Sequence, residues 1–229
     1  MVYAVRFVMA VSLLGSAVSA AILAAAVEPA AGSVRVVVDI GETPDLAAWA
    51  DDAKRLVLEW HPKIVQVLGA PAAKEPVEIR LVFRDSMKGV AATTGNTITI
   101  AADWVRRHPE DRGMVVHELT HAVQAYPRND AGWLVEGIAD YVRFYHFEPQ
   151  AKLGPIDPAR QTYRDGYRTG AMLLAWIEAT HGKDAVRKLN EALRTSRYRY
   201  ELFRELTGKS LDRLWADFLE SDAARGRAT

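Results

Sequence analysis

One short segment, His117-Glu118-Leu119-Thr120-His121, constrains this chain more than any other. Read as a helix, it sets His117 and His121 one turn apart on a single face, with both imidazoles aimed at one point. Two neutral imidazoles are half of a tetrahedral zinc site, and three protein ligands plus a water make a catalytic one. Glu118, next to the first histidine, can reach the open position and take a proton from the bound water. The chain has 0 cysteines, so disulfides, thiolate ligands and a cysteine nucleophile are all excluded. Any metal site must be built from histidine and carboxylate.

A second stretch, Trp133-Leu134-Val135-Glu136-Gly137-Ile138-Ala139-Asp140-Tyr141, supplies the missing oxygen ligand. Glu136 follows a break containing Pro127, Asn129, Asp130 and Gly132 and opens a second helical run. Gly137 keeps the backbone slim where another helix has to pass closely. Asp140 lies one turn beyond Glu136, where a carboxylate can hold the far nitrogen of a ligand histidine and fix its tautomer. The competing reading is a histidine pair hydrogen-bonded in a core.

These residues also carry a resemblance. A His-Glu-x-x-His helix followed by a Glu with an Asp four later is similar to the gluzincin metallopeptidases. More closely, HELTHAVQ, WLVEGIADYVRF, YRDGYRTGAMLLAWIE and ELTGKSLDRLWADF resemble the basic secretory protein family of plants and bacteria, a set of zinc peptidases. The similarity runs from about Val34 to Phe218. The chain departs from the family's name in being neutral.

The sequence has 229 residues, 49% of them hydrophobic, enough to bury a core, and 32–229 reads as one domain. Lys plus Arg and Asp plus Glu number 29 each, which argues against nucleic acid or an anionic membrane surface as the main partner. Residues 1–31 read as a signal peptide or an N-terminal anchor. Arg6 precedes an apolar run from Phe7 to Val27, with small-residue cleavage candidates at Val18-Ser19-Ala20 and Ala24-Ala25-Ala26. The same run is long enough to stay in a bilayer as an anchor. Either reading puts the domain outside the cytoplasmic membrane: secreted, periplasmic or in the cell envelope.

Along the chain, Val34 to Ile40 and Val77 to Arg84 alternate as strands, and Thr97 to Ile100 is a short β-branched strand after a loop from Asp85 to Gly95. Thr43-Pro44-Asp45 starts a helix that Pro62 should kink or divide before Leu68-Gly69. His61 reads as an ordinary, partly exposed histidine and His146 as surface. Helices follow over Pro109–Tyr126 and Trp133–Phe147, then one from Asp157-Pro158 through Ile177 to His181-Gly182. Three more cover Asp184–Arg194, Tyr200–Leu206 and Ser210–Glu220, with a frayed tail from Ser221. Strand, helix, strands and then only helices make an α+β domain: a small twisted N-terminal sheet, the active-site helix beneath it and a helical C-terminal half.

The resemblance implies a zincin-like fold, bound Zn2+ and a peptide or protein substrate. It further implies a strand at the sheet edge just before the active-site helix, able to pair with an extended substrate. That role is assigned to Asn96, Thr97, Ile98 and Thr99 within Asn96 to Ala101, against the plainer reading of an ordinary sheet strand. A tyrosine or histidine beyond the ligand helices often stabilises the oxyanion in such enzymes: Tyr167 is the first choice and Tyr163 the second, against a role as core aromatics. The expected constellation is therefore His117, His121 and Glu136 on zinc, Asp140 behind them, and Glu118 and Tyr167 as catalytic groups. Two other functions use the same residues: a zinc-stabilised extracytoplasmic binding protein, or a zinc amidase acting on cell-wall material.

Overall fold

The computed structural model describes residues 32–128 and 131–226; the segment read as signal or anchor lies outside the described residues. The first strand, β1 (Val34–Asp39), is followed by helix α1 (Ala47–Leu68) and strand β2 (Val77–Arg84). Strands β3 (Ala91–Thr94) and β4 (Thr97–Ala101) come next. They form one four-stranded sheet in the order β1-β2-β4-β3, parallel except for the β3–β4 hairpin. The alternation in β2 becomes a sided surface. Ile79, Leu81 and Phe83 are buried, Glu78 is half-buried and Arg80 is exposed. In register, Leu81 lies beside Ile98 and Phe83 beside Ile100, so the buried face continues across the sheet.

That face is covered by α1 and by α3 (Gly113–Gln124), which follows the short helix α2 (Ala102–Arg107). All of α3 except His121 is buried, because sheet, α1 and the next helix enclose it. The remaining helices are α4 (Gly132–Val142), α5 (Tyr167–His181), α6 (Ala185–Arg194), α7 (Glu201–Thr207) and α8 (Leu211–Glu220). Ser210 caps α8 by accepting the Arg213 N–H at 3.3 Å. Sheet and helices share one continuous apolar core. Among the described residues no helix is long and apolar enough to cross a membrane.

Several boundaries differ from the sequence expectation. Helix α1 runs unbroken through Pro62. Pro62 and Leu58, the residue one turn earlier, are both exposed, so water can satisfy the carbonyl that proline leaves without a donor. His61, just before the proline, is buried, and burial lowers its pKa. The loop expected over Asp85–Gly95 contains β3. The helix expected from Asp157 starts ten residues later, after a 3-10 turn at Tyr163–Asp165 that Thr162 and Asp165 close with a capping box. The last turn of α4 passes into a π-helical stretch at Arg143–Phe147. Past Ser221 the chain is pinned: Ala224 is buried and its carbonyl accepts the Ile156 N–H at 2.8 Å.

Helices α4 and α5 meet through glycine. A Cβ on Gly170 would stand 3.0 Å from the Gly137 Cα and 3.3 Å from the Trp133 carbonyl oxygen, both backbone atoms that have no room to yield. The close passage expected beside Glu136 is therefore present, and it holds the start of α5 against α4. Gly170→Ala is expected to cost about 1–3 kcal/mol of stability through overpacking, read as a lower melting temperature. An unchanged melting temperature would show that the two helices part freely.

Candidate active site

Helix α3 begins where Asp111 Oδ1 accepts the Met114 N–H at 3.2 Å and the Arg143 guanidinium at 2.7 Å, tying it to the end of α4. One turn apart on α3, the rings of His117 and His121 meet edge to face with centroids 4.8 Å apart. Their Nε2 atoms are 3.1 Å from each other. From α4, Glu136 Oε2 lies 3.2 Å from the first and 3.4 Å from the second. The far side of each ring is fixed. His117 Nδ1 meets Asp140 Oδ1 at 2.7 Å, and His121 Nδ1 meets Gln124 Oε1 at 2.8 Å. Gln124 spends its amide N–H on the Val135 carbonyl at 3.0 Å, so its oxygen must accept from His121.

With both Nδ1 atoms donating, both Nε2 lone pairs turn inward and join a carboxylate oxygen. Three acceptors converge on one point, and only positive charge between them makes that arrangement favourable. Their separations also match a tetrahedral ion. Bonds of about 2.0–2.1 Å put neighbouring ligand atoms roughly 3.3 Å apart. Without a metal, a proton does this work. His117 loses basicity to burial, but hydrogen bonds to Asp140 and Glu136 outweigh that loss and raise its pKa to about 9. Burial raises the pKa of Glu136, but hydrogen bonds to His117 and His121 outweigh it and bring the value down to about 2.

The three donors lie in a cleft of about 630 Å³ between α3, α4, the start of α5 and strand β3. Glu118 lines it, with its Oε2 accepting the Thr93 hydroxyl of β3 at 2.7 Å. Tyr167 closes the opposite side. It is 54% exposed and its ring is stacked on His117 at 6.0 Å, so it is not a core aromatic. Two left-handed residues put it there: Gly166 at φ 66 and Tyr167 at φ 43. A Cβ on Gly166 would be 3.1 Å from the Trp133 Cα, so this turn is pressed onto α4 and requires glycine. The negative charge of Glu136, followed by burial, raises the Tyr167 pKa and keeps the phenol a hydrogen-bond donor. Tyr163, the second choice, is buried and donates to Asp212 at 3.0 Å.

One group of site residues has to be moved. Thr97, Ile98 and Thr99 lie in β4, which is paired on both sides, with β2 and with β3. Asn96 belongs to the turn before it, with its carbonyl taken by the Arg80 N–H at 2.9 Å. The edge strand on the α3 side is β3, the other edge being β1, and Val90, Ala91, Ala92 and Thr93 line the cleft. The signal was in the sequence: Gly95-Asn96 between two Thr-rich runs is a two-residue hairpin loop, closed by the pair Thr94 and Thr97. Two further residues were not assigned roles from sequence, Thr93 on Glu118 and Gln124 behind His121. His146 is on the surface, as expected.

The first of two comparisons with solved structures shows the same fold at low sequence identity. A two-domain M1 zinc metallopeptidase mutant bound to L-arginine superposes with a TM-score of 0.50 at 16% identity, covering 85% of this chain and 48% of that one. An M1 zinc metallopeptidase from Deinococcus radiodurans gives 0.45 at 18% identity, covering 84% and 46%. This chain thus spans less than half the length of those proteins. No curated protein matches it in sequence. Residues 39–218, from the end of β1 to the last turns of α8, match the BSP family, peptidases of plants and bacteria, and the chain belongs to that family.

Proposed function

We propose that this chain is an exported zinc-dependent peptidase in which His117, His121 and Glu136 hold the ion and Glu118 is the general base. The observation that carries the reading is the triangle of two Nε2 atoms and one carboxylate oxygen, 3.1–3.4 Å on a side, with a second carboxylate beside it in an open cleft. A purely structural ion has no use for such a base and usually closes its fourth position. Zinc held by three ligands supplies a Lewis acid that polarises a carbonyl and acidifies bound water. Glu118 takes the proton of the attacking water and delivers it to the leaving amine. Tyr167 donates its phenolic hydrogen to the oxygen on which negative charge develops. The free edge of β3 pairs main chain to main chain with an extended substrate, the role first given to Asn96–Thr99. Export rests on the apolar run from Phe7 to Val27.

The test is cleavage of a mixed fluorogenic peptide library by the purified protein, with chelation and re-addition of zinc. Cleavage that stops on chelation and returns with zinc supports the reading. A protein that holds zinc but cleaves no peptide would contradict it.

Zinc binding is also expected to be proton-linked. His117 titrates near 9 without metal, so at pH 7 it carries a proton that zinc must displace, whereas Glu136, near 2, is already ionised. About one proton per zinc should be released at pH 7, and affinity should rise with pH until about 9. Calorimetry in two buffers of different ionisation enthalpy measures this. Zero release at pH 7 would contradict the charge assignment.

A further inference from the structure

Taking Glu118 as the general base, we propose that Thr93 is a positioning residue that holds the Glu118 carboxylate in its working orientation. Strand β3 is an edge strand, and its register fixes where Thr93 points. Thr93 lies opposite Ile98, which lies beside Leu81, so it shares the sheet face that packs on α3. Ala91, opposite Ile100, shares that face, while Ala92 and Thr94 are exposed. From there the Thr93 hydroxyl reaches Glu118 at two points, 2.7 Å from Oε2 and 3.0 Å from the main-chain carbonyl.

A hydroxyl has one hydrogen to give. The carboxylate is the stronger acceptor and the closer one, so Oε2 takes it. The main-chain carbonyl oxygen, 3.0 Å away, is left with at most a minor share of that hydrogen, so the tether acts on the side-chain tip. With Oε2 engaged, the other carboxylate oxygen is the one left to receive a proton from water. Glutamate has three rotatable bonds, and a base that must be ordered anew at each turnover loses rate. Misplacement of a reacting group by about 1 Å costs on the order of 100-fold.

A threonine that only packs β3 onto α3 would be replaced well by valine, which keeps the branched shape and the strand propensity. Thr93→Val and Thr93→Ser in the full chain separate the two roles. The expected result for valine is a kcat lower by about 10–100-fold, with KM and zinc content unchanged. Serine keeps the hydroxyl and should restore most of kcat. High-resolution crystal structures of wild type and Thr93→Val form a second arm, in which the Glu118 carboxylate is expected to turn from its wild-type orientation. Wild-type kcat in Thr93→Val, a serine variant no better than valine, or an unmoved carboxylate would each overturn the assignment. If wild type cleaves no peptide, the peptidase reading fails by itself. The crystallographic arm then still decides whether Thr93 orients Glu118.

Discussion

Glu118→Gln is expected to lower kcat on peptide substrates by about 10²–10⁴-fold while leaving zinc content unchanged. The replacement keeps the length and volume of the side chain, and its amide oxygen can still accept the Thr93 hydroxyl that now sits 2.7 Å from Oε2. It cannot take a proton from water. None of the three convergent donor atoms belongs to Glu118, so the ion should stay. Steady-state kinetics beside elemental analysis reads both quantities in one preparation. Full activity in the variant would remove Glu118 from the mechanism, and loss of zinc would place it among the ligands.

Asp140→Ala should weaken zinc binding by about 10–100-fold. Asp140 is buried, and its Oδ1 is 2.7 Å from His117 Nδ1. That contact keeps the proton on Nδ1 and the lone pair of Nε2 turned toward His121 and Glu136. Without it the ring can rotate or take the other tautomer, and a ligand nitrogen is lost for part of the time. Asp140→Asn retains an acceptor without the charge and should fall between wild type and alanine. Competition against a zinc chelator of known affinity measures the series. Equal affinity in all three proteins would reduce Asp140 to a packing residue.

Each of the two residue pairs was legible because helical spacing alone sets His117 over His121 and Glu136 near Asp140; no long-range knowledge is needed for either pair. Bringing the two pairs together depends on the close crossing of α4 with α5 and α3, of which Gly137 was the only local trace. What the sequence marked only by the Gly95-Asn96 turn was decided by pairing across the sheet. The strand nearest α3 in sequence is β4, but the hairpin at Gly95-Asn96 folds β3 outside it and gives β3 the edge. Ala91-Ala92-Thr93-Thr94 has too little apolar contrast to mark itself as a strand, and its partner on Glu118 lies 25 residues away. Tyr167 was named through resemblance. Its place on the cleft wall comes from a left-handed turn at Gly166 that no periodicity encodes. Gln124 lies one turn past His121 on α3, but its grip on that ring depends on the Val135 carbonyl of the next helix.

The most direct test of the proposed metal centre is zinc stoichiometry by elemental analysis on the protein purified without added metal, with His121→Ala as its partner. About one zinc per chain in wild type and little in His121→Ala is the predicted result, since losing one of three ligands leaves a two-coordinate remnant. No zinc in wild type, even after zinc is added back, would contradict it and leave His117, His121 and Glu136 as a hydrogen-bonded cluster in a helical core.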